Sequence, residues 1–219
     1  LFPVELYSNY RIIIKDDIFF MMNLTRSAGI LLHPTSLPGP YGIGDLGPQA
    51  HGWIDFLAQT GTGLWQVLPL GPTGYGDSPY QCFSAFAGNP YLISPESLLQ
   101  EDLIHADDLA DSPVFPADRV DYGRVIPWKL DLLNRSFLRF QDNSFPELEQ
   151  ALHQFQGQHR HWLPDYALFM ALKEAHGGLP WVQWPKGLRD RQPEKLEAFQ
   201  QENAYQVERQ SFFQFLFFR

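Results

Sequence analysis

The sequence predicts an α/β fold that opens with a strand–helix–strand unit on a parallel sheet and continues as a largely helical segment. Three observations predict it. Two short apolar runs, 30–32 and 64–68, flank a stretch with helical spacing, the order that builds a right-handed βαβ crossover. The second run passes straight into a loop crowded with Gly, Pro, Tyr, Ser, Asp and Asn. A buried parallel strand looks like this where a binding loop follows its C-terminal end. From Pro95 onward the strand signal fades, and apolar residues recur at intervals of three and four.

The elements follow in order. Run 30–32 (Ile-Leu-Leu) is the first short buried strand. After a Pro/Gly loop, Pro48 suits the first turn of a helix because its missing N–H has no partner there anyway. Ala50, Trp53, Ile54 and Leu57 share one apolar face, and Gly61 ends the helix. Run 64–68 is the second buried strand. Leu163, Tyr166, Ala167 and Met170 mark a later helix that stops at His176-Gly177-Gly178, and Pro193 opens another helical region that runs to the end of the sequence.

The chain has 219 residues and a formal net charge of -9. That length allows a sizeable core, and the acidic balance argues against a phosphate backbone as partner. The lone Cys82 excludes an internal disulfide framework and fits a reducing cytoplasm; Cys82 itself reads as a small packed residue. Residues 1–20 carry Glu5, Arg11, Lys15, Asp16 and Asp17, which break every apolar stretch, so neither a signal peptide nor a membrane helix of roughly 20 apolar residues is expected there. At the other end, Tyr205, Phe212, Phe215 and Leu216 lie at helical spacing with no Gly cap after them. Both ends read as those of a truncated reading frame, with the first residues an extension.

Gly42-Ile43-Gly44-Asp45-Leu46-Gly47 matches the dinucleotide fingerprint letter for letter. In that motif, however, the first Gly leaves the strand directly and an acidic residue follows about 20 positions later. Here HPTSLPGPY intervenes and position 65 is Trp65, so a tight turn with glycines at positive φ is the expectation. His33 reads as a hydrogen-bonded structural residue. His159 and His161, two apart, point to different helical faces, so with His153 they read as a solvated helix end and no metal site is expected.

The segment 74–81, GYGDSPYQ, is the strongest functional candidate. Its glycines let the backbone approach a ligand, and Pro79 stiffens the turn. Tyr75 and Tyr80 offer flat faces to the C–H side of a sugar ring, while Ser78 and Asp77 supply short polar arms. The alternative is that Tyr80 and Phe83 pack under the loop and Asp77 caps a turn.

The run AGILLHPTSLPGPYGIGDLG (28–47), the loop segment 64–93, RVDYG (119–123), DYALFMALKEAHGGLPWVQWP (165–185) and the ending FLFFR together closely resemble the start of the 4-α-glucanotransferases, also called amylomaltases or disproportionating enzymes. The resemblance runs from about Arg26 to Arg219. It implies the N-terminal part of a (β/α)8 TIM barrel with a largely helical insertion after the second strand: 1–25 an extension, 26–94 the first βαβ part of the barrel, 95–192 the insertion, and 193–219 a helix leading back to the barrel. It implies cytoplasmic transfer of α-1,4-glucan segments between maltooligosaccharides, with neither metal nor organic cofactor, no nucleic acid, no membrane and no obligate protein partner. Positions matching Tyr80 and Ser78 would contribute to glucose subsites, and the one matching Tyr75 to a second glucan-binding surface. Some relatives carry an aromatic at that surface where this chain has Ile126, which weakens the platform; Trp128 reads as a packed aromatic.

Retaining glucan transfer needs two carboxyl groups about 5 Å apart. Asp45 and Asp77 both follow strands, but each lies in a turn where Asp commonly binds its own backbone. The resemblance implies that the nucleophile Asp and acid/base Glu lie beyond Arg219, so the 219 residues alone are expected to be inactive. An unpaired sheet edge and a helix face at 212–218 without partners predict loose packing or aggregation. The rival reading is a non-catalytic glucan-binding module using Tyr75, Ser78 and Tyr80.

Overall fold

The computed structural model describes residues 26–219; the reading of 1–25 as an extension lies outside the described residues. The chain opens with β1 (Gly29–Leu31), α1 (Pro48–Gln59) and β2 (Leu64–Gln66). The strands pair in parallel, with Gly29, Ile30 and Leu31 opposite Leu64, Trp65 and Gln66. Pro48 sits in the first turn of α1, and Ala50 and Leu57 face inward as the spacing predicts. Gly61, at φ +70°, reverses the chain after the helix.

Both strands stop earlier than their apolar runs. One further bond, from Leu32 N to Gln66 O (3.1 Å), extends the ladder. Pro34 and Pro69 then follow, and a proline has no N–H to continue it. The expectation that both strands are buried is also corrected. Ile30 and Trp65 are half-buried, Trp65 meeting Trp53 of α1 edge-on at 6.4 Å, but Leu31 is 57% and Leu64 38% exposed. In this two-stranded sheet, α1 covers one face and no described residue shields Leu31 and Leu64 on the other.

The rest is helical: α2 (Pro95–Gln100), α3 (Ala106–Ala110), α4 (Tyr122–Asp142), α5 (Pro146–Gln158), α6 (Leu163–Ala175), α7 (Lys186–Arg189), α8 (Pro193–Glu202) and α9 (Ala204–Phe218). Gly177 and Gly178, at φ +61° and +77°, follow α6 where the sequence predicts its end. Pro193 opens α8 as expected, but the chain breaks again at Asn203, so α8 and α9 are separate. No helix among the described residues is long and apolar enough to cross a membrane.

The core lies among α4, α5, α6 and α9, and this corrects the expectation of an unpartnered face at 212–218. Phe212, Phe213 and Phe215 are almost fully buried. Phe212 packs on Phe137 and Phe140 of α4, at 5.3 and 4.7 Å between ring centres, and Phe215 meets Phe155 of α5 at 5.9 Å. The reason is tertiary: α9 lies against α6, α5 and α4, so residues distant in sequence cover the face that looked open.

Two buried polar ties join the strand loops to this helical core. Gln214 of α9 holds the Gly88 peptide at both ends, accepting from its N–H at 2.8 Å and donating to its carbonyl at 3.0 Å. Lys129 of α4 donates to the Ile93 carbonyl at 2.6 Å and pairs with Asp45 at 3.4 Å.

Candidate functional site

The loop after β2 folds into a small hairpin, and its geometry decides what 74–81 presents. Thr73 and Cys82 form an antiparallel bridge. Gly74 N donates to Gln81 O at 3.0 Å and Phe83 N to Pro72 O at 3.2 Å, closing the stem. At the tip, a 3-10 turn (Tyr75–Asp77) places Gly76 at φ 71° and Asp77 at φ 54°. A left-handed backbone is free for glycine and uncommon for aspartate, although Asp and Asn tolerate it best. Ser78 Oγ accepts from Tyr80 N at 3.3 Å, and Gln81 N donates to Ser78 O at 3.1 Å, which fixes the second bend.

Tyr80 stands out at 71% exposure, so the alternative in which it packs beneath the loop does not hold. Phe83 does pack, tilted against Phe169 at 6.2 Å with the Lys173 ammonium 4.8 Å over its ring. Asp77 is half-buried, and its charge is felt by two neighbouring phenols. Burial, with the Asp77 charge added, pushes the Tyr91 phenol up to about 12. The Tyr122 phenol is raised by burial, eased by its hydrogen bond with Thr35 and pushed up again by Asp77. Asp77, Ser78 and Tyr80 share the tip, and the Asp77 charge reaches the Tyr91 and Tyr122 phenols. The side chain of Tyr75 lies outside the described residues.

Asp45 cannot serve as half of a catalytic carboxyl pair. It is buried, one oxygen accepting from Gly47 N at 3.0 Å and the other facing Lys129. Burial lowers the Lys129 pKa and the Asp45 charge opposes that shift; Glu96 nearby is raised by burial and by the same charge. The arrangement is a strut between the loop after β1 and α4. The GIGDLG run behaves as a packed turn. Gly42 takes φ +76°, a Cβ on Gly44 would strike the Pro34 carbonyl and Leu37, and one on Gly47 would strike Ser94.

His33 bridges the ends of both strands, its Nδ1 2.8 Å from Thr35 Oγ1 and its Nε2 3.4 Å from the Pro69 carbonyl. Burial lowers its pKa, so it sits neutral at physiological pH. His159 accepts from Trp162 Nε1 at 3.1 Å and packs on Phe155 and Phe218, which makes it more enclosed than a solvated helix end, whereas His153 and His161 are exposed. Trp128 stacks on Tyr41 at 5.5 Å and meets Phe115 at 5.6 Å, a packed aromatic as expected. Ile126 is half-buried.

Sequence reasoning missed Tyr91 and Tyr122. Both lie in quoted family segments, Tyr91 in 64–93 and Tyr122 in 119–123, but nothing in the sequence marks them as neighbours of Asp77.

A family model described as 4-alpha-glucanotransferase matches residues 32–219. The chain is similar to the 4-alpha-glucanotransferase of Thermus thermophilus, 52% identical over 198 residues that cover 90% of this chain and 39% of the relative. It is also similar to that of Synechocystis sp., 47% identical over 194 residues, covering 89% and 38%. Among solved structures, amylomaltase from Streptococcus agalactiae in complex with acarbose superposes with a TM-score of 0.83 at 35% identity, covering 89% of this chain and 39% of that one. The chain thus spans about 39% of the length of the relatives it matches.

Proposed function

The chain belongs to the 4-alpha-glucanotransferase family, and we propose that it supplies one wall of a glucan site in a protein that moves α-1,4-glucan segments between maltooligosaccharides. Ser78 and Tyr80 contact the sugar, Tyr80 laying its ring against the apolar face of a glucose unit and Ser78 offering its hydroxyl. Tyr75 belongs to a second glucan-binding surface away from that wall. Asp77 supplies a second short polar arm beside Ser78. The parallel pair and α1 are the first part of a (β/α)8 barrel, and the helices from α2 onward are an insertion after its second strand.

The transfer is a double displacement with retention. One carboxylate attacks the anomeric carbon and a glucosyl–enzyme ester forms as the leaving oxygen takes a proton from the second carboxyl. That second group then removes a proton from the acceptor hydroxyl, which displaces the ester. In this reading neither group comes from the 219 residues: Asp45 is committed to Lys129, and Asp77 lies in the tip turn that presents Ser78 and Tyr80. No cofactor, nucleic acid, membrane or obligate protein partner enters this reading, and the lone Cys82 supports a cytoplasmic setting.

The observation that carries the proposal is Tyr80: a ring 71% exposed at the tip of a hydrogen-bonded hairpin, in a chain similar to an amylomaltase solved in complex with acarbose. Incubation of the 219-residue chain with maltotriose tests it. No glucose release is expected, and release that Asp45→Asn or Asp77→Asn abolishes would overturn the placement of the reacting carboxylates outside this chain.

A further inference from the structure

A run of hydrogen bonds joins the ends of both strands to the hairpin tip, and an imidazole sits at its head. His33, just past β1, caps a 3-10 turn (Pro34–Ser36), its Nδ1 lying 2.8 Å from Thr35 Oγ1 and 3.4 Å from the Thr35 nitrogen. Its Nε2 lies 3.4 Å from the Pro69 carbonyl, in the loop after β2. The Thr35 side chain in turn bonds the Tyr122 phenol at the start of α4, and the Asp77 charge of the tip reaches that same phenol. His33, Thr35, Tyr122 and Asp77 are all half-buried.

One proton sets the donor order of this run. A backbone N–H only donates and a carbonyl only accepts, so a neutral imidazole between Thr35 N–H and Pro69 C=O carries its proton on Nε2 and accepts at Nδ1. The Thr35 hydroxyl then donates to Nδ1, and its oxygen accepts from the Tyr122 hydroxyl. A proton taken from solvent onto Nδ1 reverses this. Nδ1 must donate to Thr35 Oγ1, the Thr35 hydroxyl must turn its own proton toward Tyr122, and the Tyr122 proton has to leave Thr35. The Thr35 N–H meanwhile faces a donor where it had an acceptor, so the cap on the turn is lost. Burial holds the His33 pKa below the ordinary 6.5, against the pull of the Pro69 bond. The neutral order is therefore present above about pH 6.5 and is given up as pH falls through the lower, folded value. The groups facing the run from other elements are Tyr122 and, beyond it, Asp77 and Tyr91; both phenols are raised above 10.0, so neither changes state in that range.

We propose that His33, Thr35 and Tyr122 form a pH-sensitive clasp on the hairpin tip, closed while the imidazole is neutral and loosened when it takes up a proton. Asp77 passes the change on. Its backbone, at φ 54°, is held in a conformation uncommon for aspartate, and Ser78 follows directly, with Tyr80 two positions further, so a shift at Asp77 moves both. The effect on a bound glucan rests on the reading of the tip as a glucan wall; the clasp itself does not.

NMR of the whole 219-residue chain, reading amides and imidazole rings from about pH 8 to about pH 5.5, tests it. The amide shifts of Asp77, Ser78 and Tyr80 are expected to follow the same curve as the His33 ring, with a midpoint below 6.5. In Tyr122→Phe, which removes the linking hydroxyl, His33 should still titrate while the tip no longer follows, a separation that a merely structural role for Tyr122 would not produce. In His33→Asn the tip shifts should stay flat; if that variant does not fold, as judged by its thermal transition, Tyr122→Phe carries the test alone. Maltotriose affinity of the unaltered chain should fall about fivefold over the same range, the worth of one neutral hydrogen bond, and stay level in Tyr122→Phe. Tip shifts that do not track the His33 ring, shifts that track it equally in Tyr122→Phe, or maltotriose binding of equal strength at both ends of the range would each overturn the proposal. Maltotriose binding at no pH, with the tip still tracking His33, would overturn the glucan wall and leave the clasp standing.

Discussion

In the helical region, Leu103, Leu133 and Phe212 expose no surface at all, whereas in the βαβ region Leu31 is 57% exposed, Phe56 49% and Leu64 38%. Both regions are rich in apolar residues, so composition does not separate them. Number of neighbours does: α4, α5, α6 and α9 cover one another, while the two strands have a single helix and an open face. A sheet of two strands is marginal unless something packs on it, so the βαβ part leans on the helices through the Gln214–Gly88 and Asp45–Lys129 ties. The candidate site stands at that junction: an exposed tip borne on a loop whose far end is fixed to buried helices.

The largest effect is expected where the junction is electrostatic. Lys129→Ala leaves Asp45 buried without its partner, and breaking such a pair costs about 3–5 kcal/mol; denaturant unfolding should show a loss at the upper end of that range. A loss below 1 kcal/mol would mean that the strut joins nothing. Phe212→Ala, at the centre of the helical core, should cost slightly less, about 3–4 kcal/mol of transfer and cavity terms, and the same denaturant curve reads it. Gln214→Ala strands the Gly88 N–H and C=O, each a loss of about 1–3 kcal/mol if it stays dry. Hydrogen exchange at Gly88 should accelerate while exchange within α4 stays slow. That contrast sharpens the distinction between the regions.

Alkaline pH probes the group behind the tip. Tyr91 has a folded pKa of about 12 against an ordinary 10.0, so the folded state binds the proton more tightly. The stability it contributes is fully present below pH 10 and is lost as pH rises toward 12. Tyr91→Phe should flatten the fall in melting temperature over that window, and an unchanged slope would contradict the burial assigned to this phenol. The smallest effect belongs to the open face of the sheet: Leu31→Ser should change stability by no more than about 0.5 kcal/mol. A larger loss would show that this face is covered in solution.

Much of the fold was legible where a local rule acts alone. Pro48 and Pro193 open helices, Gly61 and the pair Gly177-Gly178 close them, and the parallel order of the strands follows from the helix between. Strand length and burial were misread because the prolines that end the ladder and the missing cover on one face outweigh apolar composition. The burial of 212–218 was not legible, since its partners Phe137, Phe140 and Phe155 lie far back in the chain and helical spacing gives only the width of a face, not what meets it. Lys129 illustrates the same limit: nothing around it announces a buried cation paired 84 positions away. At the candidate site, a glycine turn was legible in the sequence, and Gly76 adopts the positive φ it allows. The reach of the Asp77 charge to Tyr91 and Tyr122 was not, because those phenols arrive from other segments.

The most direct test of the account is the affinity of the chain for maltotriose, measured by calorimetry for the unaltered protein, for Tyr80→Ala and for Trp181→Ala, which removes an aromatic 53% exposed outside the hairpin. The account predicts saturable binding that Tyr80→Ala weakens roughly tenfold and that Trp181→Ala leaves alone. Equal affinity in all three proteins, or no binding by the unaltered chain, would contradict it.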